Sequence, residues 1–103
     1  MESLSVSSES VEYVKCRITA FRDGTEFDPT EDNVAFAATV RDVMVDEDVT
    51  WSDGSWETTD GHYYARVLYG TDLVLAKGHY LLWVKVTDDP ETPVKLVGRL
   101  DVI

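Results

Sequence analysis

From Val14 onward apolar residues recur at every second position, which restricts the chain to β-strands with one dry and one wet face. Val14, Cys16, Ile18 and Ala20 alternate with Lys15, Arg17 and Thr19. Val34, Phe36, Ala38 and Val40 repeat the pattern, and Val43 and Val45 either extend it or begin a short strand. Three stronger runs follow at 62–69 (HYYARVLY), 80–87 (YLLWVKVT) and 94–103 (VKLVGRLDVI). They are rich in the β-branched and aromatic types that suit a pleated, half-buried surface. Helical spacing of useful length is missing, and 43–49 is the one stretch where a short helix fits.

Turn residues cut this pattern into pieces. Asp23-Gly24 supplies the positive-φ position of a tight hairpin. Asp53-Gly54 and Asp60-Gly61 read as two further turns, which places Trp56 on a short strand between them. Pro29 breaks the pairing after Phe27, since proline cannot donate to a ladder. Pro90 and Pro93 fix an acidic loop, and Gly98 marks a bulge or a close approach. About seven strands spaced roughly ten residues apart indicate an antiparallel two-sheet sandwich. It would occupy 11–103 as one domain, preceded by a Ser- and Glu-rich arm or edge strand at 1–10. Leu4 and Val6 point the same way in that arm, so it is expected to add to the edge of a neighbouring sheet.

One local motif sharpens the fold. Leu75-Ala-Lys-Gly78-His-Tyr80 has the L-x-x-G-x-Y arrangement and resembles the tyrosine corner of immunoglobulin-like (Ig-like) and fibronectin-like sandwiches. Its tyrosine ring caps the core while the hydroxyl bonds back to upstream backbone, and the glycine frees the turn. Leu75, Gly78 and Tyr80 are therefore expected to be structural, and the fold is expected to be an all-β, Ig-like sandwich.

Composition excludes several function classes. Twenty acidic residues against nine basic ones give a net charge of -11, which repels nucleic acid and anionic membranes. The N-terminus has neither a basic n-region nor a long apolar run, so the chain is expected to stay in the cytoplasm or in a particle assembled there. One cysteine and two histidines are too few for a His/Cys zinc site. Cys16 alternates with apolar neighbours as a small core residue, and no Gly-rich phosphate loop or nucleophile elbow occurs. No enzymatic activity and no resident cofactor are expected.

Two ligand classes remain open. Asp23, Asp28, Glu31 and Asp32 form one acidic loop group; Asp46, Glu47 and Asp48 form another; Asp88, Asp89 and Glu91 form a third. Pooled carboxylates of that kind suit a weak calcium site, although no D-x-[DN]-x-[DN]-G loop is present. Trp51, Trp56, Tyr63 and Tyr64 suit either a carbohydrate-binding face or a protein interface, and the interface is favoured, with Trp51 and Trp56 as assembly contacts.

The chain as a whole resembles small Ig-like virion proteins of tailed bacteriophages and prophages, especially those of actinobacterial hosts. The resemblance lies in Ser7-Ser-Glu-Ser-Val-Glu-Tyr-Val-Lys15, in Gly54-Ser-Trp56 with Tyr63-Tyr64-Ala65-Arg66-Val67, and in Gly78-His-Tyr80 through Trp83 to Val94. It implies a non-enzymatic virion protein, foremost a capsid decoration protein bound to the major capsid protein lattice and self-associating within the particle. Head-tail connector and tail roles, or a stand-alone Ig-like module for carbohydrate or cell surfaces, are the alternatives.

Overall fold

The computed structural model describes residues 2–22, 24–40, 49–87 and 92–103. Among them, ten strands form and no helix does: β1 (Glu2–Val6), β2 (Glu12–Ile18), β3 (Ala20–Arg22), β4 (Thr25–Phe27) and β5 (Asn33–Val40), then β6 (Ser52–Asp53), β7 (Ser55–Thr59), β8 (His62–Tyr69), β9 (Gly78–Thr87) and β10 (Val94–Val102). The protein is all-β. The expectations for 43–48, for the acidic group at 46–48 and for Asp23, Asp88, Asp89, Pro90 and Glu91 lie outside the described residues.

Five strands form one sheet in the order β1-β10-β9-β5-β6, three form a second in the order β2-β8-β7, and β3 and β4 pair as a separate hairpin. All pairs are antiparallel except β1 with β10, which run parallel with Leu4 beside Leu100 and Val6 beside Val102. Alternation then decides what is buried. Val34 and Phe36 of β5, Leu82 and Val84 of β9, and Leu100 and Val102 of β10 turn to one side of the larger sheet. They meet Val14 of β2 and Ala65, Val67 and Tyr69 of β8 in a single core. Phe36, Ala65, Tyr69, Leu82 and Leu100 are completely shielded from water.

The centre of the larger sheet is buried on its other side as well. Ala35, Ala37, Thr39 and Trp83 alternate with core residues yet are themselves buried. The Trp83 indole N–H donates to Thr39 Oγ1 at 3.0 Å, which satisfies both polar groups away from water. Trp83 is thus a structural residue.

The turn chemistry is partly as expected. Asp60 (φ 53°) and Gly61 (φ 77°) both take the left-handed conformation and close the β7–β8 hairpin between Thr59 and His62. Asp53-Gly54 differs. Gly54 lacks a positive φ and makes no hairpin; it carries the chain from β6 in one sheet to β7 in the other. Its N–H donates to Val34 O at 2.8 Å, and a Cβ there would lie 2.6 Å from Arg66 O and 3.0 Å from the Phe36 ring. Glycine is needed for close approach and not for a turn. In β10 the register shifts between Leu96 and Gly98, a bulge at the position that the glycine marks.

Residues Glu2–Val6 act as an edge strand of this chain's own sheet. Leu4 packs against the core, Val6 is 4% exposed, and the ladder continues as Ile103 N–H donates to Val6 O and Ser8 N–H to Ile103 O. Within this chain Leu4 and Val6, expected as donors to a neighbouring sheet, pack on its own larger sheet and core.

Candidate functional site

The segment that crosses between the sheets leaves a recess beside it. β6 covers β5 only at Ala35 and Phe36, so the start of β5 is uncovered where Gly54 turns away. A groove of about 630 Å³ opens there. The small residues Ala35 and Gly54 line it together with Trp51 and Trp56. The two tryptophans picked out in the sequence therefore share one site, and the structure also fixes each of them. The Trp56 indole N–H donates to Asp32 O at 2.8 Å, while the Lys85 ammonium lies 4.4 Å from the centre of the Trp51 ring. Asn33, Asp53 and Thr87 add hydrogen-bonding groups to the walls.

A second surface covers the outward side of β2-β8-β7, away from the core. Cross-strand pairing places Lys15 beside Arg66, Arg17 beside Tyr64, and Tyr64 beside Glu57. Lys15 Nζ reaches Glu57 Oε2 at 2.8 Å, and Arg66 donates to Ser55 Oγ at 3.0 Å and to Glu57 Oε1 at 3.4 Å. The Arg66 guanidinium stacks 4.2 Å from the Tyr13 ring centre, and Lys15 lies 5.6 Å from that of Tyr64. The hydrogen bond from Lys15 is the main cause that holds the Glu57 carboxyl below its ordinary pKa, aided by the charges of Lys15 and Arg66. Sequence reasoning missed this cluster. Tyr13, Lys15 and Arg17 visibly share one face, but their partners lie about fifty residues away and only the register joins them.

The corner motif holds a loop. The Tyr80 hydroxyl donates to Ala76 O at 2.8 Å, and the completely buried Tyr69 donates to Leu75 O at 3.1 Å. Two phenols from the strands on either side of 70–77 thus hold adjacent carbonyls. Leu75 packs against the core, and Gly78 begins β9 with a φ of 158°.

Of the acidic groups, the described part of the first can be placed. Asp28 accepts the Thr30 backbone N–H at 2.8 Å, and hydrogen bonds from Thr30 hold its carboxyl below its ordinary pKa. Among the described residues no three His, Cys, Asp or Glu side chains converge on a point that would hold a metal ion. His79 pairs with Asp101 across β9 and β10 at 2.8 Å on the surface. Cys16 is half-buried beside the core.

No protein-family model, no curated protein and no solved structure matches this chain.

Proposed function

We propose that this protein is a non-catalytic Ig-like β-sandwich that serves as a structural protein of a tailed-phage particle. In this reading it docks onto the capsid or another virion protein through the outward side of β2-β8-β7. The strand order supports the Ig-like part. β10-β9-β5 follows the G-F-C order of such folds, β2-β8-β7 follows B-E-D, and β6 stands where variable-type domains add C′. The Tyr80 hydroxyl bond to Ala76 O supports the tyrosine corner.

The observation that carries the docking role is the company kept by Arg66. In a chain of net charge -11, Lys15, Arg17 and Arg66 gather on one flat side with Tyr13 and Tyr64. Aromatic residues and arginine are the types enriched at protein interfaces. Three cations on an acidic molecule also orient it toward an acidic patch on its partner. The resemblance to phage virion proteins supplies the setting, with capsid decoration ahead of connector or tail.

The test is incorporation. Particles assembled in the presence of a Tyr13→Ser, Arg66→Gln double variant should carry far fewer copies than with the wild type, although the isolated variant still unfolds cooperatively. Undiminished occupancy by a folded variant would contradict the docking surface.

A further inference from the structure

The groove beside Gly54 is lined from β5, β9 and the chain before β5 and β6, and Trp56 comes to it from β7. We infer that this groove is a binding site for a neutral saccharide. The inference stands on the geometry of the isolated chain and does not depend on the particle role.

Its volume, about 630 Å³, falls within the range of small-molecule sites. Its walls combine Trp51, Trp56, which also packs against the core, and short polar side chains, a pairing that suits a sugar ring. A pyranose has a face of C–H groups that loses contact with water when it packs on an aromatic ring, whose negative face attracts the C–H edges. The hydroxyls around the ring both donate and accept. Asp53 accepts, Asn33 does both, and Thr87 does both, so adjacent hydroxyls can be met from one wall. Both indoles are held before any ligand arrives, Trp56 by Asp32 O and Trp51 by Lys85. Less ordering is then left for the ligand to impose.

Charge selects among ligand classes. Among the described residues that line the groove, Glu31, Asp32 and Asp53 outnumber the cation Lys85, which disfavours uronic and sialic acids. A cationic side chain is disfavoured for a different reason. The Lys85 ammonium already occupies the face of Trp51 where an incoming cation would gain most. A neutral sugar is repelled by neither set of charges and shares the Trp51 ring with Lys85.

The experiment is an NMR titration of the isolated protein that follows the three indole N–H resonances. Trp83 serves as an internal control, because it is buried, bonded to Thr39 and not among the residues that line the groove. The probes are neutral oligomers of glucose, galactose, mannose and N-acetylglucosamine, an oligogalacturonate, and arginine amide, each to millimolar concentration. At least one neutral oligomer should shift Trp51 and Trp56 while Trp83 stays fixed, and oligogalacturonate should shift none. Trp51→Ala and, independently, Asp53→Asn should each weaken that binding about tenfold or more, with the Trp83 resonance unmoved as a sign of an intact fold. The inference is overturned if no neutral oligomer shifts either groove indole. It is equally overturned if arginine amide shifts them and the sugars do not, which would give the groove to a basic protein partner.

Discussion

Tyr69 and Tyr80 each end in a hydroxyl that donates to a neighbouring carbonyl, Leu75 O and Ala76 O, in the loop that joins their strands. Tyr80→Phe removes one such bond near the surface and should lower stability by about 1 kcal/mol. Tyr69→Phe leaves its acceptor at the edge of a dry core and should cost at least as much in a urea titration. An unchanged midpoint for both would show that the loop is held by other contacts. Gly54→Ala should be worse than either, by about 2 kcal/mol, because the added methyl meets Arg66 O and the Phe36 ring. Glu57 makes an acid-sensitive contribution. Folding holds its pKa below the unfolded value, so the stabilisation is present at neutral pH and is lost as pH falls through the folded pKa. Glu57→Gln should flatten that part of the acid limb in a series of thermal melts. Of these residues only Tyr80 was legible, since its partner lies four positions away. The partners of Glu57 and Gly54 come from distant strands, which local pattern does not join.

Strands were the most legible level, because period two is written directly into the side-chain order. The limits of β8 coincide with the HYYARVLY run, and β5, β9 and β10 fall on the apolar runs. Pairing was less so. Nothing in Glu2–Val6 announces a parallel partner at the far end of the chain, and Asp-Gly reads alike whether it closes a hairpin or crosses between sheets. The difference at β1 changes what truncation does. Val6 is buried and Leu4 packs against the core, so deleting residues 1–8 should lower stability by about 2 kcal/mol or more from lost apolar burial. A deletion variant with the wild-type urea midpoint would mean that β1 does not hold the sheet edge.

At the scale of the molecule, a net charge of -11 sets a field that strains the compact state and favours basic or neutral partners. Raising salt from about 0.01 to about 0.15 M shortens the screening length from about 30 to about 8 Å. The melting temperature should rise over that interval, and a fall would mean that the pairs Lys15–Glu57 and Arg66–Glu57 outweigh the general repulsion. The charge was readable in the sequence. The two surfaces were not, since each is assembled from strands whose pairing the sequence does not state. The proposed virion role is tested most directly by quantitative mass spectrometry of purified tailed-phage particles from the source, scaled to the major capsid protein. The account predicts that the protein is present, at a copy number comparable with the capsid lattice for decoration or at a low, ring-like number for neck or tail. Its absence from the particles would contradict the account.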